Sequence, residues 1–224
     1  MSVARSIGIL GGTFNPIHLG HLRAAEEVRE GQRLDEMWLV PAALPPHKES
    51  TALVSAAHRL RMVELAVRGV PGFRVSPLEL ERSGPSYTID TLHAVREQVG
   101  ADTRLVFVLG SDAFAELHTW KRYTEIFQTC DVVVVTRPPD PVRLDPEQIP
   151  LAARGAFWYE SSSESFRHES GHVLSLQRIT GLDISAESIR ARVAAHRSIR
   201  FLVPAEVEAY IVEHGLYGEE GAGR

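Results

Sequence analysis

The chain has almost no cysteine, very little lysine and no long apolar run. Cys130 is the one thiol in 224 residues, so no internal disulfide can form. Its place beside Val132-Val133-Val134-Val135 marks it as a core filler rather than a nucleophile. No stretch approaches the roughly 18 apolar residues a membrane span needs. The first ten residues are too short, and too soon broken by Gly11-Gly12, to read as a secretory leader. A cytoplasmic protein with no membrane partner is the resulting expectation. The 24 basic residues include two lysines, Lys48 and Lys121, and acids and bases are interleaved around a net charge of -5. That balance lacks the polybasic face a nucleic-acid partner would require, so none is expected. Any anion the protein binds must be met by a local cluster.

What is present is a globular composition, 44% hydrophobic and 24% charged. Short apolar runs at Ser6 to Leu10, Glu36 to Val40, Leu105 to Leu109 and Asp131 to Thr136 predict buried strands. Between them lie helical patterns. Leu22 to Arg33 carries Leu22, Ala25 and Val28 at helical spacing, and Ser55 is placed to cap a helix to Arg68 with a stripe of Leu60, Val63 and Val67. Thr88 to Val99 is the clearest, with Ile89, Leu92, Val95 and Val99 on one face and Gly100 closing it. Phe73 to Leu80 reads as extended, and Asp112 to Leu117 and Tyr123 to Phe127 as short helices. Strands alternating with helices give an α/β fold, a Rossmann-like doubly wound parallel sheet. Helices at Ala186 to His196 and Ala205 to His214 form a helical C-terminal extension. Residues 137–182, broken by Pro138-Pro139-Asp140-Pro141 and serine-rich over 161–170, read as an irregular insertion. It holds a short helix near Glu147 to Ala153 and a strand near Val173 to Leu176. No long linker appears, so 1–224 is expected to be a single domain, with a core over 1–183 and C-terminal helices over 184–218.

The stretch Gly11-Gly12-Thr13-Phe14-Asn15-Pro16-Ile17-His18-Leu19-Gly20-His21 follows the first strand and precedes the first helix. Glycines there let the backbone approach an anion, helix amides point at it, and two histidines three apart add side-chain donors. The loops after Leu10, Val40, Leu109 and Thr136 would all lie at the carboxyl ends of parallel strands, where such sheets bind ligands.

That stretch resembles the signature of nucleotidyltransferases sharing the His-x-Gly-His motif, and among them is most similar to the bacterial nicotinate-nucleotide adenylyltransferases. The resemblance recurs in order at Pro45-Pro46-His47-Lys48, Ser86-Tyr87-Thr88, Gly110-Ser111-Asp112, Thr119-Trp120 and Ile184-Ser185 through Arg190. It implies transfer of AMP from ATP to nicotinate mononucleotide, with pyrophosphate leaving. Positioning and charge stabilisation are the main needs of such a reaction. The resemblance makes His18 and His21 the catalytic donors to the α-phosphate. Gly11, Gly12, Thr13, Phe14, Lys48, Ser185 and Arg190 join them around ATP. Ser86, Tyr87, Thr88, Gly110, Asp112 and Trp120 fall to the mononucleotide. Mg²⁺ is expected as cofactor, held mainly by phosphates and water, with no dedicated protein metal site.

Two positions depart from the family pattern. Asn15 stands where aspartate is common, and Glu187 where a hydroxyl residue is usual. Nicotinamide mononucleotide or phosphopantetheine as the acceptor, a nucleotide-sensing module without turnover, and a homo-oligomer stay open. A rival motif, His168-Glu169-Ser170-Gly171-His172, matches the His-Glu-x-x-His pattern of zinc hydrolases, which works on a helix. A glycine within a serine-rich stretch argues against that helix.

Overall fold

The computed structural model describes residues 5–43, 53–82, 84–137 and 143–218. Eight strands form one sheet: β1 (Ser6–Gly12), β2 (Glu36–Pro41), β3 (Phe73–Val75), β4 (Arg104–Gly110), β5 (Asp131–Thr136), β6 (Phe157–Glu160), β7 (Ser165–His168) and β8 (Val173–Arg178). Their order is β3-β2-β1-β4-β5-β8-β7-β6. The first six in that order are parallel, and the hairpin β6–β7 adds two antiparallel strands beyond β8. The helices are α1 (Leu19–Gly31), α2 (Ala56–Val67), α3 (Thr88–Val99), α4 (Ser111–Ala115), α5 (Tyr123–Thr129), α6 (Leu151–Arg154), α7 (Ala186–Ala194) and α8 (Ala205–Glu213).

The unbroken apolar strands bury both faces, because side chains alternate across a sheet. Trp38 and Val40 of β2 join one core with Ile89 and Leu92 of α3 and Phe127 of α5. Met37 and Leu39 join the other with Val28 of α1, Met62 and Val63 of α2, and Ile189, Val207 and Ile211 of α7 and α8. Each such side chain contributes about 1.5–3 kcal/mol of transfer free energy. The last two helices therefore cover one face of the sheet, and Leu19 N donates to Leu202 O at 2.9 Å where they meet α1.

Three expectations change. Helix α1 begins at Leu19, not Leu22, so His18 is its N-cap and His21 lies in its first turn. The buried face of α2 carries Arg59, Met62, Val63 and Val67, while Leu60 is only half-buried. The segment read as an irregular insertion supplies three strands. β8 pairs in parallel with β5 from Val132↔Leu174 to Thr136↔Arg178, and β6–β7 extend the edge. Ser165 and His168 are buried there, so polarity concealed the strand. Asp131 ties the join, accepting from Arg104 Nε at 2.8 Å and Val173 N at 3.0 Å. These partners, with His172, outweigh burial and hold its carboxyl below the ordinary range. Among the described residues, no helix is long and apolar enough to cross a membrane.

Candidate active site

A cleft of about 890 Å³ opens at the carboxyl ends of β1, β4 and β5. That is where chain order reverses across a doubly wound sheet, with β1 and β4 adjacent. Its floor is the end of β1 and the loop into α1. A Cβ at Gly11 would meet no atom of the described residues within 4 Å, so the space beside this turn is open. At Gly12 a Cβ would stand 2.9 Å from the Phe14 ring, which packs over the turn. Phe14 is buried with φ of 47°, a left-handed conformation uncommon for an aromatic residue.

His18 and His21 stack with ring centroids 3.6 Å apart and planes 25° apart. Phe14 meets His21 edge-on at 5.2 Å. The close stack needs Gly20, where a Cβ would sit 3.0 Å from His18 Nδ1. The His18 backbone N–H donates to His21 Nδ1 at 3.3 Å. An acceptor at Nδ1 puts the proton of a neutral ring on Nε2. His18 is 5% exposed, and burial with the nearby Arg137 guanidinium holds its pKa down to about 4. Both effects disfavour the imidazolium. His18 is therefore neutral at physiological pH.

One wall comes from α7. Ser185 caps it, accepting from Ser188 N at 3.1 Å, and Ser185, Glu187 and Arg190 all line the cleft. Arg190 Nη1 donates to Asn15 O at 2.8 Å, which binds this wall to the β1 loop. Glu187 is exposed and faces the cleft, as its place in the first turn of α7 dictates. The opposite wall holds Ser86, Thr88, Gly110, Asp112 and Trp120. Ser86 Oγ accepts from Ala43 N at 3.0 Å. Thr88 begins α3 and lines the cleft, and among the described residues no side chain caps this helix N-terminus. Trp120 packs edgewise on Phe107 at 6.3 Å and also lines the cleft.

Of the residues singled out from sequence, the fold gathers Gly11, Gly12, Thr13, Phe14, His18, His21, Ser86, Thr88, Gly110, Asp112, Trp120, Ser185 and Arg190 around this one cleft. Tyr87 is the exception. It is the N-cap residue of α3, and its ring lies under Lys121 Nζ at 4.4 Å rather than in the cleft wall. Lys48 and the rest of Pro45-Pro46-His47-Lys48 lie outside the described residues.

Sequence reading missed Arg59. Its guanidinium, 1% exposed, donates to Thr13 O at 2.9 Å, Ala42 O at 2.6 Å, Ala43 O at 3.0 Å and Val54 O at 3.3 Å. It thus ties the loop after β1 to the loop after β2. The available signal was an arginine in register with Met62 and Val63. It also missed Thr136, a cleft residue whose Oγ1 is buried and without a hydrogen-bond partner among the described residues. The rival zinc motif folds otherwise: His168 ends β7 and a turn follows. His168 Nδ1 lies 2.9 Å from Ser170 Oγ, and His172 Nδ1 lies 3.4 Å from Asp131 Oδ1.

A parallel sheet with stacked histidines at a glycine turn, facing a helix N-terminus across one cleft, defines a nucleotidyltransferase-type site. The cytidylyltransferase-like family model matches residues 9–192. The chain is 45% identical over 94% of its length to a probable nicotinate-nucleotide adenylyltransferase of Syntrophotalea carbinolica, covering 96% of that protein. It is 47% identical over 96% of its length to one of Pseudomonas fluorescens, covering 98% of that protein. The chain belongs to the bacterial nicotinate-nucleotide adenylyltransferase family. Its fold matches that of Plasmodium falciparum nicotinic acid mononucleotide adenylyltransferase complexed with NaAD, with a TM-score of 0.69 at 19% identity, covering 95% of this chain and 97% of the other.

Proposed function

We propose that this chain transfers the adenylyl group of ATP to the 5′-phosphate of nicotinate mononucleotide, giving deamido-NAD and pyrophosphate. The observation that carries the reading is the stacked His18–His21 pair, set between two walls of different chemistry at the end of β1. The acceptor phosphate oxygen bonds to the α-phosphorus as the bond to pyrophosphate breaks. Charge spreads over the α-phosphate oxygens, where His21 Nε2–H and the amides of Gly12 to Phe14 donate. His18 meets the same group as a neutral donor. Ser185, the α7 N-terminus and Arg190 hold the triphosphate, and Lys48 joins them on the evidence of sequence. Across the cleft, Trp120 stacks the pyridine ring and the uncapped α3 N-terminus at Thr88 receives its carboxylate. Ser86 and Gly110 line that site and Asp112 binds a ribose hydroxyl.

Family membership supports a divalent metal, which we assign as Mg²⁺. The cleft offers the carboxylates Glu79, Asp112 and Glu187, and no cluster of three or more His, Cys, Asp or Glu among the described residues could hold a metal. Such a donor set fits an ion that takes most of its ligands from phosphate and water. When bound it neutralises charge on the departing pyrophosphate.

The test is product formation by the purified protein with ATP, Mg²⁺ and either pyridine mononucleotide. We expect deamido-NAD to form faster than NAD. His21→Ala should lower the rate by about 10²–10³, the usual cost of one transition-state donor, with the fold retained. No pyrophosphate release with either acceptor would refute the assignment.

A further inference from the structure

We propose that Tyr217, near the carboxyl end, is a positioning residue for this reaction: its hydroxyl fixes Asn15 and so sets the loop that carries the phosphate-binding amides and leads into His18 and the first turn of α1. The inference rests on the adenylyl-transfer reading above. Tyr217 OH donates to Asn15 Oδ1 at 2.9 Å in a buried setting, across 202 residues of sequence. The same oxygen receives Val54 N at 3.4 Å. The same residue is held at its backbone, because the Asn15 carbonyl accepts from Arg190, a wall residue of the cleft. Two positions back, Arg59 holds the Thr13 carbonyl. The loop is thus fixed from α2, from α7 and from the chain end after α8.

Phe14 and Tyr217 both have left-handed φ values, 47° and 64°, uncommon for aromatic residues, and both side chains are buried. Gly215, also left-handed, turns the chain inward after α8 so that Leu216 and Tyr217 are buried. A phenylalanine would fill the same apolar space. The hydroxyl is what requires a polar partner when buried, and Asn15 provides it. Burial raises the phenol well above its ordinary range against the opposing charges of Arg190 and Arg59, so it remains a donor. A loop that aims donors at a transition state affects kcat more than KM when it drifts.

The experiment compares wild type with Tyr217→Phe, Asn15→Ala, Asn15→Asp and the double variant Tyr217→Phe/Asn15→Ala. Removing the hydroxyl should lower kcat about ten-fold or more while KM for both substrates stays within about three-fold. Asn15→Ala should do the same, and the double variant should be no worse than the poorer single variant. Asn15→Asp keeps the acceptor and should stay within about three-fold of wild type. Amide exchange in residues 11–15 should speed about ten-fold in Tyr217→Phe while β4 is unchanged. A folded Tyr217→Phe with wild-type kcat, or losses that multiply in the double variant, would overturn the proposal. If Tyr217→Phe does not fold, the contrast between Asn15→Ala and Asn15→Asp decides it in the same direction. A wild type without turnover sinks the functional reading, whereas unchanged exchange in Tyr217→Phe sinks this inference alone.

Discussion

His18 makes acid stability a direct readout of the site. Its pKa is held near 4 in the fold against an ordinary 6.5, by burial and by Arg137. The unfolded chain therefore binds a proton at pH values where the fold refuses it. A depressed histidine costs no stability above pH 6.5 and progressively more as pH falls toward 4. The two pKa values give a loss of about 2 kcal/mol at pH 5 and about 3 kcal/mol at pH 4. Buried or bonded carboxylates such as Asp131 also lose their contribution in acid, so wild type alone is not diagnostic. His18→Asn keeps a polar side chain and removes the titration. Urea denaturation of both proteins from pH 7.5 to 5 should show the difference in their stabilities shifting by about 2 kcal/mol in favour of the variant. In wild type, the His18 ring protons should keep their neutral-form NMR shifts down to about pH 5. Parallel stability profiles, or a ring titrating near 6.5, would refute the argument. They would also remove the conclusion that His18 meets its phosphate uncharged.

Two further outcomes follow from the packing around the same loop. Arg59→Met should cost about 3 kcal/mol or more by denaturation, because the carbonyls of Thr13, Ala42, Ala43 and Val54 lose their charged donor. A loss under about 1 kcal/mol would show that water replaces the guanidinium freely. Gly20→Ala should push the His18 ring by a few tenths of an ångström, since a Cβ there stands 3.0 Å from Nδ1 and 3.1 Å from Cε1. We expect kcat to fall about ten-fold with a modest change in melting temperature, and an unchanged kcat would mean the stack has no part in turnover.

The parts of this molecule legible in sequence are those governed by local pattern. Thr88–Val99 and Asp131–Thr136 were readable to the residue, the first from 3.6-residue spacing closed by glycine, the second from an unbroken apolar run. Ser55 was recognisable as a cap, and its hydroxyl accepts from His58 N at 3.3 Å. The cleft was traceable because phosphate sites follow a strand–glycine–helix order that lies within a dozen residues. Arg59 and Tyr217 escaped because their partners in the loop after β1, Thr13 and Asn15, lie 46 and 202 residues away, and no periodicity records a distant hydrogen bond. The β6–β7 hairpin escaped because its strands are four residues long and bury a serine and a histidine. The contact of the Tyr87 ring with Lys121 was likewise not readable, since 34 residues of sequence separate the two.

Cys130 joins α5 to β5, fully buried, with its thiol pushed up by burial and the adjacent Asp131. Thiolate is the reactive form, so alkylating reagents should find the folded protein inert. That silence is an experimental resource. A dye attached through a cysteine introduced on an exposed surface would report from one known position. Cys130 itself would serve as an internal clock: its slow alkylation under native conditions would count the openings of the core where α5 meets β5.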